Sequence, residues 1–85
     1  MLTNEEIVAR IKRAFLPLRC VAEIRHGLKV RFRVVDARNN TILRMKMRPL
    51  NEIRDETQLA QLLQYVRSRI RAKGFVLRGD RGSLA

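Results

Sequence analysis

The central part of the chain alternates between apolar and basic residues, and this alternation constrains the fold more than any other feature of the sequence. Residues 28–48 have the sequence LKVRFRVVDARNNTILRMKMR, in which two alternating halves flank a pair of asparagines. Alternation with a period of two is typical of strands that have one buried face and one face in water. We therefore predict two antiparallel strands here, whose water-facing side consists almost entirely of arginine and lysine.

A further strand is predicted just before this pair, which gives a three-stranded antiparallel sheet. The side chains predicted to face the core are Cys20, Ala22 and Ile24 in the first strand, Leu28, Val30, Phe32 and Val34 in the second, and Leu43, Met45 and Met47 in the third. Residues that pair directly across a sheet share a face, so these sets also predict the register.

The two turns follow from this register. If Ile24 pairs with Leu28, residues 25–27 form the first turn, with glycine at its last position. The second turn must contain an even number of residues, which leaves two alternatives, residues 39–40 or residues 37–40.

Two amphipathic helices are predicted to flank the strands. Thr3 and Glu6 form a capping box at the start of the first helix, and Pro17 lies beyond its end. The second helix starts at an Asp55 cap and ends before Gly74, which suits a left-handed C-terminal cap. The apolar stripe of the second helix is Leu59, Leu62, Leu63, Val66 and Ile70. Stripes with this spacing pack against a core.

These elements predict a two-layer α+β fold in the order α-β-β-β-α, with a three-stranded antiparallel meander and two helices on one face. A chain of 85 residues is long enough for one such domain, which we place at residues 1–75. Residues 76–85 are predicted to be a flexible C-terminal tail, because they combine glycines with polar residues.

The net charge of +11 favours an anionic partner, and much of this charge is predicted to cluster on the wet side of the sheet. The candidate nucleic-acid-binding residues are Lys29, Arg31, Arg33, Arg44, Lys46 and Arg48 on the sheet, with Arg67 and Arg71 near the end of the second helix. Like charges opposite each other on a sheet destabilise it by up to about 1 kcal/mol per pair, and a bound anion relieves that cost. RNA or DNA phosphate is therefore the leading predicted partner, whereas simple screening of exposed arginines by salt is the structural alternative.

An acidic protein is the alternative partner. Val35 and Ile42 are predicted to interrupt the basic face with an apolar spot, which suits a protein interface. The outer strands are also open edges to which a second copy could add, so the oligomeric state stays open. Insertion into a membrane is not expected, because arginine interrupts every apolar run and the helices use their apolar faces for the core.

Catalysis, a cofactor and a bound metal are not expected. The single histidine, His26, and the single cysteine, Cys20, lie at opposite ends of the first predicted strand, so no base adjoins the thiol. The acids are scattered over the helix starts and do not converge as metal ligands would. One cysteine forms no intramolecular disulfide, and the acidic Glu5 and Glu6 are unlike a signal peptide, so we expect a cytoplasmic location.

The order of elements resembles the double-stranded RNA-binding domain, a family that holds phosphates with lysines at the start of its second helix. In this chain Asp55 and Glu56 occupy that position, where carboxylates repel phosphate. RNA is therefore expected at the open sheet or at the basic end of the second helix. Since the outer side of the sheet lacks aromatic residues for stacking bases, we expect phosphate contacts with weak sequence preference and a steep dependence on salt.

The segment AFLPLRC at Ala14–Cys20 contains the motif FLPL, from Phe15 to Leu18, followed by Cys20. Together with Asp36, the polar turn after it and the stripe of the second helix, this motif resembles a family of short bacterial proteins known as domain of unknown function 1652. The resemblance covers residues 5–70. It implies a compact cytoplasmic bacterial domain with no established activity or cofactor, and it supplies no functional residues.

Overall fold

A computed structural model describes residues 1–78 of the chain. The elements are α1 (Asn4–Ala14), β1 (Arg19–Arg25), β2 (Lys29–Val35), β3 (Thr41–Pro49) and α2 (Glu56–Ala72), with one turn of 3-10 helix at Leu50–Glu52. The strands form an antiparallel sheet in the order β1-β2-β3. The predicted α-β-β-β-α order and meander are confirmed.

Both predicted helix caps are present. The Thr3 hydroxyl accepts a hydrogen bond from the Glu6 backbone N–H at 3.1 Å, and the Glu6 carboxylate accepts one from the Thr3 N–H at 3.0 Å. These bonds complete a capping box and hold the pKa of Glu6 below its ordinary value. At α2 the Asp55 carboxylate accepts from the Gln58 N–H at 3.1 Å. Gly74 follows α2 with a positive φ of 97°, as expected for a left-handed cap.

The core lies on one side of the sheet, where both helices pack. Its buried side chains include Ile7 and Ile11 of α1, Val30, Phe32 and Val34 of β2, and the whole predicted stripe of α2, Leu59, Leu62, Leu63, Val66 and Ile70. The rings of Phe15 and Phe32 stack with their centroids 5.7 Å apart, which ties the end of α1 to the central strand. Each such fully buried large side chain stabilises the fold by ~1.5–3 kcal/mol.

Two arginines connect segments that are distant in sequence. The Arg54 guanidinium donates to the carbonyl of Leu2 at 3.1 Å. Nη1 of Arg67 donates to the carbonyl of Ala14 at 2.5 Å, and Nη2 donates to the carbonyl of Arg78 at 3.1 Å. Arg67 therefore satisfies a carbonyl that the end of α1 leaves without a helical partner.

The packed core extends two residues beyond the predicted domain boundary at residue 75. Leu77 is only 1 % exposed, and the Arg78 N–H donates to the carbonyl of Leu16 at 2.6 Å. The remainder of the predicted tail, residues 79–85, lies outside the described residues.

The first turn differs from the prediction. Ile24 pairs with Val30 and not with Leu28, so the turn is formed by residues 26–28. His26 and Gly27 both adopt positive φ, at 55° and 68°, which reverses the chain one residue later than expected. Leu28 is consequently 68 % exposed in the turn. Because the register slips by two residues, the remaining side chains of β1 and β2 keep their predicted faces.

The second turn also differs from the prediction of an even number of residues, because it consists of the five residues 36–40. The backbone N–H of Asp36 donates to the Asn40 carbonyl at 3.0 Å, and the Asp36 carboxylate accepts from the N–H groups of Arg38 and Asn40, both at 2.9 Å. Asn39 supplies the left-handed residue, with φ at 67°. Ile42 then has no single partner on β2, and this bulge absorbs the odd residue.

A second bulge in β3 changes which side chains face outward. Lys46 and Met47 together lie opposite the single residue Arg31 of β2. An extra residue of this kind reverses the alternation beyond it. Met47, predicted to face the core, therefore lies on the outer side, whereas Arg48, predicted on the outer side, pairs with the inward-facing Val30.

We expect Arg67→Met to destabilise the fold by about 1–3 kcal/mol, because two backbone carbonyls lose a charged donor while the aliphatic packing is largely kept. The measurement is the free energy of unfolding from urea titration. Arg69→Met is the matched control, since the Arg69 guanidinium interacts with Tyr65 on the exposed side of α2 and not with a backbone carbonyl of the described residues. Equal destabilisation by the two substitutions would contradict the structural role of Arg67.

Candidate functional site

The side of the sheet that faces away from the helices, called the outer face below, is strongly basic. Its basic residues are Arg19 and Arg25 of β1, Lys29, Arg31 and Arg33 of β2, and Arg44 and Lys46 of β3. Glu23 of β1 is the acidic residue on this face. The strands bring these side chains together because the core occupies the other face, so every second residue must face water.

Two rows of side chains cross the outer face. The first row consists of Val21, Arg33 and Arg44, which are successive partners across the three strands. The second row consists of Glu23 and Arg31, which pair directly, and the bulged residues Lys46 and Met47. Neighbouring strands lie about 4.8 Å apart, and rows two residues apart are separated by about 7 Å.

Within the second row, Glu23 neutralises its neighbours. One carboxylate oxygen accepts from Nε and Nη2 of Arg31 at 3.0 and 2.8 Å, and the other accepts from Nη1 of Arg25 at 3.0 Å. These hydrogen bonds, first from Arg25 and then from Arg31, hold the pKa of Glu23 below its ordinary value. The Arg31 guanidinium is thereby fixed in one orientation.

The first row has no such counter-charge. Arg33 and Arg44 pair directly across β2 and β3. Among the described residues, the hydrogen bond that Arg33 donates is a long one to the Thr41 hydroxyl, at 3.4 Å. Within residues 1–78, neither Arg44 nor Lys46 has a hydrogen-bond or ion-pair partner. Like charges directly opposite each other destabilise a sheet, so this half of the outer face is strained electrostatically.

An open depression of about 500 Å³ lies between the two rows. Arg31, Arg33, Arg44 and Lys46 border it together with Glu23. Val21 and Met47, which are 41 % and 38 % exposed, give it an apolar surface. The depression therefore combines cationic sides with apolar contact area, which suits an anion that also has an apolar part.

The other predicted site residues lie elsewhere. Lys29 is at the end of β2, where it pairs with Arg25 and Pro49, outside the depression. Arg48 lies on the opposite side of β3 from Lys46. Arg67 and Arg71 belong to α2, and Arg67 is engaged with backbone carbonyls. The eight candidates thus form one group of four around the depression and four separate residues.

The apolar spot predicted at the end of the basic face is not exposed. Val35 is fully buried, and Ile42 packs partly buried against the core. The exposed apolar residues of the outer face are instead Val21 and Met47. The alternation of β1 indicates that Val21 faces outward, but nothing in the sequence marks the bulge that turns Met47 to the same side.

The chemistry-bearing residues outside this face are separated from one another. Burial raises the pKa of the Cys20 thiol to about 12, and His26 lies in the turn at the far end of β1. Among residues 1–78, no three histidine, cysteine, aspartate or glutamate residues converge as ligands for a metal. No helix in this part of the chain is long and apolar enough to cross a membrane.

Comparison with known proteins gives one result. The model of the family described as protein of unknown function (DUF1652) matches residues 5–70. The chain belongs to this family. The match covers α1, the sheet and most of α2, so the outer face and its depression lie within the DUF1652 domain. No curated protein and no solved structure matches the chain.

We expect the stabilising effect of Glu23 to depend on pH. Its pKa is lowered in the folded state, so its ion pairs stabilise the fold above the ordinary value of 4.5 and are lost as pH falls through the folded value. The difference in unfolding free energy between wild type and Glu23→Gln should be largest at neutral pH and should shrink in acid. Urea titrations across this range measure it, with the exposed Glu52→Gln as control. A difference that stays constant with pH would contradict the assignment.

Proposed function

We propose that this DUF1652 domain binds the phosphates of nucleic acid through the outer face of its sheet. The observation that supports this most directly is the opposed pair Arg33 and Arg44, beside Lys46, without a counter-charge among the described residues. Folding alone gives no reason to set these cations together, because the arrangement destabilises the sheet. Phosphates would supply the missing charge, and arginine binds them with paired, charge-assisted hydrogen bonds.

The comparison between the two basic regions of the chain favours the sheet. The cations at the end of α2 interact favourably with the negative end of the helix dipole, so they have a structural explanation. Arg67, in addition, already holds two backbone carbonyls. Within the part of the chain that the structure describes, Arg33, Arg44 and Lys46 at the depression have no comparable explanation, since Glu23 neutralises only Arg31 and Arg25. We therefore place the binding surface on the sheet, with Arg33, Arg44 and Lys46 as the principal phosphate ligands and Arg31 beside them.

In this function the domain is a binding module in the cytoplasm, where RNA and DNA both occur, and it needs no catalytic step or cofactor. Phosphate contacts explain affinity without sequence preference. They also predict that affinity falls steeply as salt rises, since each phosphate contact releases condensed counterions.

A second candidate function is the binding of an acidic segment of another protein. The exposed Val21 and Met47 favour it, because protein interfaces combine apolar contact area with arginine. The surface is the same in both cases. Competition between nucleic acid and an acidic peptide for the outer face therefore distinguishes the two functions.

We expect the double substitution Arg33→Gln and Arg44→Gln to weaken binding of a short RNA or DNA at least tenfold at about 150 mM salt, since two phosphate contacts are lost. The slope of log affinity against log salt should also fall in magnitude by about 1.5. Fluorescence anisotropy measures both quantities. The same variant should be as stable as wild type or slightly more stable, because it removes a like-charge pair.

The matched control is Arg69→Gln with Lys73→Gln, which removes the same charge from the exposed side and end of α2. This control should change affinity by less than about twofold at the same salt. An equal loss of affinity in both double variants would indicate attraction by total charge and would contradict a defined site. Loss in the control alone would move the site to α2.

A further inference from the structure

The bulge in β3 places an apolar side chain, Met47, on one side of the depression, and phosphate binding alone does not explain it. The first row is cationic throughout β2 and β3, whereas in the second row Glu23 already neutralises Arg31. Met47 stands in this second row only because Lys46 and Met47 share one partner. Among residues 1–78, Lys46 of the second row has no counter-charge either, so phosphates are attracted to Arg33, Arg44 and Lys46. The neutralised Arg31 and the apolar Met47 lie next to each other without excess charge.

Resting on the proposed function, we propose that Arg31 and Met47 of the second row hold one unpaired base of a single-stranded nucleic acid, while Arg33, Arg44 and Lys46 hold the adjoining phosphates. The two rows are about 7 Å apart, so a base at the second row and the phosphate next to it can contact both rows at once. Because the base must be unpaired, the ligand is a single strand in preference to a duplex.

The chemistry of the second row suits the face of a base. An arginine guanidinium is planar and stacks on aromatic rings, and two hydrogen bonds from Arg31 to Glu23 hold this one in a fixed orientation. The thioether of Met47 is polarisable and makes favourable contacts with aromatic rings. Val21, at the end of the first row, adds apolar surface on the far side of the depression. Together these side chains replace the outward-facing aromatic residues that the outer face lacks.

A duplex cannot use this half of the depression. Its bases are stacked and paired, so it presents sugar, phosphate and base edges to a sheet surface, but no base face. Val21 and Met47 would then contact a charged backbone and gain nothing from it. An unpaired base, in contrast, covers Met47 and leaves the phosphates over Arg33 and Arg44.

The test compares three ligands of about ten nucleotides at about 150 mM salt. They are an intact single strand, the same strand with abasic residues throughout, and a duplex of equal length, each made as RNA and as DNA. We expect the intact single strand to bind the wild-type protein at least fivefold more tightly than either of the other two, as is usual for a stacked base.

Met47→Ser should lower affinity for the intact strand about fivefold and leave affinity for the abasic strand unchanged. Leu28→Ser is the matched control, because Leu28 is an exposed apolar residue in a turn outside the depression, and it should have no effect. The comparison of the three ligands uses the wild-type chain alone, so it holds even if a variant folds poorly.

The outcomes separate the two proposals. If the abasic strand or the duplex binds as tightly as the intact strand, the base site is wrong, although phosphate binding by Arg33 and Arg44 stands. If none of the three ligands binds at this salt concentration, both proposals are wrong. Displacement of the intact strand by an acidic peptide at lower concentration than by unlabelled strand would likewise overturn both, in favour of a protein partner.

Discussion

The placement of both helices on one side of a three-stranded sheet is the constraint on which the rest of the structure depends. With α1 and α2 packed over Phe32 and its neighbours, the other face of every strand must remain in water. Any polar residue would satisfy this requirement. The concentration of arginine and lysine there is therefore a property of the surface, and the fold itself does not need it.

The two rows of the outer face differ in how their charges are balanced. Glu23 balances Arg25 and Arg31 within the protein, whereas Arg33 and Arg44 face each other without an acid. The same strands could have placed a carboxylate opposite Arg33, as they did opposite Arg31. Arg31 and Glu23 show that this sheet can pair a cation with an acid, and the absence of such an acid among the described residues distinguishes Arg33 and Arg44.

The fold was largely predictable from the sequence because its signals are local, whereas the site depends on details of register. The caps at Thr3 and Asp55 and the stripe of α2 each involve neighbouring residues. The predicted register of β1 and β2 was wrong by two residues because Leu28, an apolar residue in the turn, continues the alternation of the core-facing residues of β2. The bulge before Arg48 could not be predicted, since it follows from pairing between strands, and it moved Met47 into the depression. The outward orientation of the four cations around the depression depends only on alternation and agrees with the structure, whereas their role as phosphate ligands stays a prediction.

The contacts of Arg54, Arg67 and Leu77 have a consequence for how the chain acquires its structure during synthesis. The N-terminal segment bonds to Arg54, and the end of α1 bonds to Arg67, which also holds the carbonyl of Arg78. Leu77 fills a place in the same core. Helix α1 therefore lacks these two partners until most of the chain up to Arg78 has been made, so we expect the domain to fold as one unit and not segment by segment.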